Sequence, residues 1–381
     1  MASLQARPAK EWIGKCLLSL FSVILILGLL EVCLRIYQKL QFDIPLSNNG
    51  LTQVSLDTPQ APRLANVLDD RLGWRPTPNY HFEGQSQSAD GTAYTLRVTQ
   101  NAYGARAFGS PNTGKTKLLV LGDSFTQAIE VSDDKTYYAC LGRVLGAEVF
   151  AIGSRGYGTL QEYMLLDEFV DQIHPDLILL QFCYNDFFNN SYDLERAWTA
   201  GSLALTRPYW EKGTVNYRIP KPYGWLLKLS NKSSRLLYLV TTRMDRIRFM
   251  LSKQDSLLKD IQAHGMAHPG FRASVATTDE IMKRFASRAQ DTPIVIFESC
   301  TTSKPFYDVI REIARRHRMH FVETLPADLD IAEQKGAVLH NVDRVHWNET
   351  GHRLVAEVLG EYLRSNGFVA SGVAPVKAAV N

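Results

Sequence analysis

"KLLVLGDSFTQ", residues 117–127, decides the fold. Leu118 to Leu121 form an unbroken apolar run that ends abruptly in Gly122, Asp123 and Ser124. A short run of this kind, bounded by turn residues, reads as a strand buried on both faces. Working outward, four similar runs follow at 148–152 (EVFAI), 176–182 (DLILLQF), 293–297 (PIVIF) and 319–323 (MHFVE). Helical periods lie between them near 135–146, 158–173 and 303–317, and a last helix begins near Glu349 with Asn348 as its cap. Strands alternating with helices predict a parallel sheet covered on both faces. In such a sheet, ligands bind outside the carboxyl ends of the strands. Function is therefore to be sought just after each apolar run.

The whole chain of 381 residues is 45% hydrophobic and 21% charged, ordinary globular composition, and its net charge of +3 gives no argument for nucleic acid. The five cysteines, Cys16, Cys33, Cys140, Cys183 and Cys300, show no CxxC pair and no Cys/His metal spacing, so neither a disulfide framework nor a metal site is expected. "CLLSLFSVILILGLLEVCL", residues 16–34, carries one charge, Glu31, placed to snorkel toward headgroups. As a helix it spans about 28 Å, the hydrocarbon thickness of a bilayer. The rival reading is a cleaved signal peptide, but the run is long for one, "RIYQKL" follows with no small-residue cleavage site, and Val32 before Cys33 suits lipoprotein processing poorly. Arg7, Lys10 and Lys15 precede the span and Arg35 and Lys39 follow it, which predicts a cytoplasmic N-terminus and an extracytoplasmic remainder at the inner membrane.

The chain is expected to divide into a stub and anchor (1–40), a linker (41–66), a catalytic-type domain (67–368) and a disordered tail (369–381). The alternation in "YTLRVTQ" suggests a strand of a small ribbon upstream of the main sheet. An insertion at about 187–290 contains aromatic and basic residues and is mostly helical in period. Its plain reading is a helical cap with a solvated basic face; the sharper one is a surface for anionic headgroups or an acidic polymer.

The strand ends supply a set with one chemistry. Ser124 follows the first run, Gly156 the second and Asn185 the third, while Asp343 and His346 precede the last helix. A serine hydroxyl is a weak nucleophile without a base, which His346 can supply, and Asp343, three residues earlier, can reach the imidazole Nδ1 on a tight turn. Backbone N–H groups of Ser124 and Gly156 and the Asn185 amide can form an oxyanion hole. Taken singly, Ser124 reads more readily as a helix cap, Asn185 as a turn residue, and Asp343 with His346 as a surface pair. His340 and His352 are rival bases, although His340 has no aspartate three residues before it and His352 lies within the last helix.

Together, "LGDSFT", "GSRGYGT", "YND" and "DRVHWNETGH" resemble the four blocks of the SGNH subgroup of GDSL hydrolases. "LGWRPTPN" and "TQNAYGARAFG" resemble segments that precede the first block in membrane-anchored members. The resemblance covers roughly residues 68–366. It departs at Ala151, where an asparagine is usual, and at Cys183, where a glycine is usual; Cys183 reads as a small buried residue. The GxSxG elbow of α/β-hydrolases is absent around Ser124. The resemblance implies a three-layer α/β/α sandwich with a five-stranded parallel sheet, and a membrane-anchored serine esterase that uses no cofactor. It further suggests a carbohydrate O-acetyl ester, such as an acylated polysaccharide, as substrate. Two other functions remain open: an O-acyltransferase using the same site, and a catalytically silent carbohydrate-binding scaffold.

Overall fold

The computed structural model describes residues 7–42, 46, 65–198, 205–221, 223–251, 256–300 and 304–369. Most of the expected linker and residues 370–381 of the expected tail lie outside these. Two compact units are present, one of residues 1–51 with 223–251, the other of 52–222 with 252–381.

In the first unit, α1 (Arg7–Phe42) contains a stretch, Glu11–Gln41, long and apolar enough to cross a membrane. It packs with α8 (Arg235–Leu251), which follows α7 (Gly224–Ser233). Glu31 does not simply snorkel. Its carboxylate accepts hydrogen bonds from the Arg235 and Leu236 backbone N–H groups and from Ser234 Oγ, and pairs with Arg35 Nε at 2.6 Å. It thus satisfies first-turn donors of α8 that have no partner within that helix.

The second unit opens with two antiparallel pairs, β1 (Asn66–Asp69) with β2 (Gly73–Pro76) and β3 (His81–Gln87) with β4 (Ala93–Thr99). The latter is the ribbon expected from "YTLRVTQ". Next come β5 (Ala107–Phe108), β6 (Lys117–Gly122), α2 (Ser124–Gln127), α3 (Tyr137–Leu145), β7 (Glu148–Gly153), α4 (Thr159–Ile173) and β8 (Leu177–Phe182). Two short helices, α5 (Asn185–Asn189) and α6 (Tyr192–Ala197), lead to the hairpin of β9 (Arg207–Glu211) and β10 (Thr214–Arg218). Further along are α9 (Ser256–His264), α10 (Pro269–Ala289), β11 (Ile294–Glu298), α11 (Phe306–Arg316), β12 (His320–Phe321), α12 (Leu325–Gln334) and α13 (Glu349–Ser365).

The main sheet has the order β12-β11-β8-β6-β7-β5. Its five parallel strands are the five apolar runs, so the expected sandwich is present, and β5 adds a sixth, antiparallel edge strand on β7. Leu118 and Val120 point into a core shared with Tyr137, Leu141, Val355 and Leu359, on the face covered by α3 and α13. Strand alternation turns Leu119 and Leu121 to the opposite face, where α4 packs with α10. These four apolar residues of β6 are fully buried, each contributing roughly 2 kcal/mol. Helix α10 therefore belongs to a layer of the sandwich, although it falls within the expected insertion. Val369, expected in the disordered tail, is buried in the core.

One expectation fails. Cys183 and Cys300 form a disulfide across 117 residues of sequence. Nothing in their spacing predicts it, because the two meet only once β8 and β11 pair side by side.

Candidate active site

After β6 the chain crosses to β7 on one side, then returns to β8 on the other. The carboxyl end of β6 is thus a topological switch point, where a crevice opens. Glycine stands at position 122, the last of that strand, because a Cβ there would strike Gln181 Oε1 and Thr126 Oγ1. Ser124 is the first residue of α2 and not its cap. Asp123 is the cap: its carboxylate accepts from Phe125 N at 3.0 Å, while its own N–H donates to Gln181 Oε1 at 2.9 Å.

The loop before α13 brings the other groups to Ser124. Asp343 Oδ1 accepts from the N–H groups of Val345 and His346, each at 3.0 Å, and Arg344 takes a left-handed φ of 57° to close the turn. The other oxygen, Oδ2, lies 2.6 Å from His346 Nδ1. His346 Nε2 lies 2.8 Å from Ser124 Oγ. This pairing leaves Nε2 free to accept the serine proton when Nδ1–H donates to the carboxylate. Asn348 caps α13 as the sequence suggests, accepting from Thr350 N and Gly351 N.

Charge around the ring is unequal. Burial opposes a charged His346, but Glu130, and then the hydrogen bond that His346 donates to Asp343, outweigh it and raise its pKa above the usual 6.5. Burial also works against the charged form of Asp343, and its bonds with His346 more than offset this, lowering it to about 2.

Asn185 opens α5 and donates from Nδ2 to Asp123 Oδ2 at 3.3 Å, which ties its amide to the residue that precedes Ser124. Gly156 sits in the turn after β7 at φ 73°, a conformation that favours glycine. Its carbonyl is held by Arg207 Nη2 at 2.6 Å and Asn189 Nδ2 at 3.3 Å. Of the five expected site residues, Ser124, His346 and Asp343 form one hydrogen-bonded chain and Asn185 bonds Asp123 at its edge, while the contacts of Gly156 are with Arg207 and Asn189.

The rival histidines have other partners. His352 is buried, accepts from Tyr137 N through Nδ1 at 3.1 Å, and is pushed down to about 3, chiefly by burial. His340 pairs with Glu333 at 2.9 Å. Sequence reasoning missed Glu130, whose Oε1 is 3.7 Å from His346 Nδ1 and 3.9 Å from Arg155 Nη2. It also missed Arg207, buried against Glu195 at 2.8 Å while it holds the Gly156 turn. No local pattern marks either residue. Glu130, Asp343 and His346 offer ligand atoms within 4.8 Å of one another, but a metal at Nδ1 would displace the bond to Asp343. Cys183, Glu298 and Cys300 form a second such cluster, in which both sulfurs are already joined to each other.

Residues 120–354 match the model of the GDSL-like lipase/acylhydrolase family. The chain belongs to that family. It is an ester-hydrolysing enzyme of the GDSL type. No curated protein matches the sequence. Among solved structures, the chain is similar to the lipase/acylhydrolase from Enterococcus faecalis, at 13% identity and a TM-score of 0.38 over 68% of this chain and 100% of that one. It is also similar to a mutant acetyl-xylooligosaccharide esterase from Geobacillus Stearmophilus, at 16% identity and a TM-score of 0.37 over 70% and 99% of the two chains. A third is a member of the lipolytic protein G-D-S-L family from Veillonella parvula DSM 2008, at 12% identity and a TM-score of 0.34 over 65% and 98%.

Proposed function

We propose that this GDSL enzyme is a membrane-anchored serine esterase in which Ser124, His346 and Asp343 form the catalytic triad. The observation that carries the reading is the unbroken relay of 2.8 Å from Ser124 Oγ to His346 Nε2 and 2.6 Å from His346 Nδ1 to Asp343. In the first half-reaction, Ser124 Oγ attacks the ester carbonyl carbon while its proton passes to His346 Nε2. Negative charge on the former carbonyl oxygen is met by the Ser124 and Gly156 N–H groups and the Asn185 amide. Collapse of the tetrahedral adduct breaks the bond to the alcohol oxygen, which takes the proton from His346. Water then attacks the acyl-serine by the same route in reverse, releasing the acid and restoring Ser124.

The substrate class we assign is a carbohydrate O-acyl ester outside the cytoplasm. Export is supported by the basic residues that precede the apolar span 16–34 and by the Cys183–Cys300 disulfide, a bond that persists in oxidising compartments. A scaffold without activity would need no relay of this geometry. Full-length protein in detergent should hydrolyse p-nitrophenyl acetate, and Ser124→Ala should lower kcat/KM by at least about 10⁴-fold. Unchanged turnover in that variant would remove Ser124 from the mechanism. With an oligosaccharide acceptor present, faster acylation of the acceptor than release of free acid would identify the enzyme as a transferase.

A further inference from the structure

Glu130 lies six residues beyond Ser124, outside every block that the sequence resemblance rests on, yet several elements cooperate to hold it against the imidazole. Its neighbours Ile129 and Val131 are buried. Buried Arg106 clamps the surrounding loop, donating to the carbonyls of Gln127, Ala128 and Val131 and pairing with Asp133 at 2.9 Å. The hydroxyl of Tyr94, on β4, shares its one proton between the Glu130 carbonyl, at 2.8 Å, and Asn341 Oδ1. One ribbon residue therefore ties the loop carrying Glu130 to the loop carrying Asp343 and His346. The Glu130 side chain is only 11% exposed. Its contact with Arg155 is, at 3.9 Å, longer than its 3.7 Å approach to Nδ1, so the ion pair alone does not account for its position.

Resting on the triad reading above, we propose that Glu130 is a positioning residue, a second carboxylate on the Nδ1 side of His346 that stabilises the imidazolium formed during acyl transfer and takes over the Nδ1–H bond when Asp343 is removed. At 3.7 Å it stands about 1 Å beyond hydrogen-bond length, within reach of a side-chain rotation. The charged and titratable groups that act on the ring come from five places. They are Asp343 on its own loop, Glu130 after α2, Arg155 after β7, Asp123 at the end of β6 and His352 on α13. Of these, Glu130 and Asp343 both favour the charged ring.

The test uses full-length protein in detergent with p-nitrophenyl acetate, and compares Glu130→Gln, Glu130→Asp, Asp343→Ala and the Glu130→Gln/Asp343→Ala pair. Loss of a triad carboxylate ordinarily costs about 10⁴-fold in kcat. Asp343→Ala should here lose only about 10²-fold, with the double variant falling at least a further tenfold. Removing the Glu130 charge alone should move the acid limb of kcat/KM down by about half a pH unit, and Glu130→Asp should restore it. A limb that stays in place, or residual Asp343→Ala activity indifferent to Glu130, overturns the proposal. Thermal melts check folding, and Glu130→Ala replaces the glutamine variant should that one fail to fold. If Ser124→Ala stays active, the triad itself falls and Glu130 with it. If Ser124→Ala is dead and the limb does not move, only the role of Glu130 is lost.

Discussion

Burial of His346, 7% exposed, disfavours its charged form, yet Glu130 and Asp343 leave its pKa above 6.5. The sign of this shift sets two opposite pH dependences. In its proposed role as base, His346 must be neutral to accept the Ser124 proton, so activity should fall as pH drops through the raised value. The acid limb of kcat/KM should therefore lie above 6.5, the ordinary histidine value. A limb below it would mean that burial outweighs the two carboxylates. For folding, a raised histidine contributes stability in full below 6.5, which is lost as pH rises through the folded value. Asp343 acts in the other direction: its contribution is present above 3.8 and lost as pH falls toward about 2. The enzyme thus works where the stabilising His346 charge has already been given up. The asymmetry resides in single side chains and was only half legible: Asp343 and His346 share a turn and a motif, whereas Glu130 reaches the ring through a loop shaped by Arg106 and Tyr94.

Helix α4 presents a related conflict. Its Glu162 is fully buried, both carboxylate oxygens lack a hydrogen-bond partner, and burial together with Asp186 and Asp123 pushes its pKa well above 4.5. Asp186 is also pushed well up, mainly by burial, while it accepts from Thr159 Oγ1 and Cys183 N. Folded protein then holds protons that unfolded chain has released, so stability declines as pH rises from 4.5 toward the folded value. Each retained proton contributes a slope of up to about 1.4 kcal/mol per pH unit. Glu162→Gln removes one such group at nearly constant shape. It should raise the melting temperature at pH 8 relative to pH 5.5 and flatten the slope between them; an unchanged slope would show that Glu162 is already ionised. Elements of this kind explain what could be read in advance. The five parallel strands announce themselves as apolar runs, and α13 by the Asn348 cap and its period. Helix α10 does not, because its assignment to a sandwich layer depends on α4, about a hundred residues earlier in the chain. Strand β5 does not, because two residues have no period and pair only once β7 is in place.

At the scale of the whole molecule, the disulfide gives the proposed export a chemical test. Cys183 follows β8 directly, two residues before Asn185, and Cys300 follows β11, so the bond staples adjacent strand ends beside the proposed oxyanion site. Closing a loop of this length restricts the unfolded chain by about 4–5 kcal/mol in the chain-entropy account. The remaining cysteines, Cys16, Cys33 and Cys140, are free thiols. Two of these lie in α1, whose apolar stretch would reside in the bilayer, and the third is partly buried on α3. A topology with α1 as a retained anchor and the catalytic unit outside the cytoplasm therefore makes a definite statement about thiol count. Cells quenched in acid, denatured without reductant and treated with a maleimide mass tag should yield protein carrying three tags, rising to five after reduction. Five tags without reductant would place the catalytic unit in a reducing compartment and contradict export. Three tags, combined with a melting temperature that falls by several degrees when Cys183 and Cys300 are both replaced by serine, would join oxidation of the bond to the stability of the strand ends that carry the site.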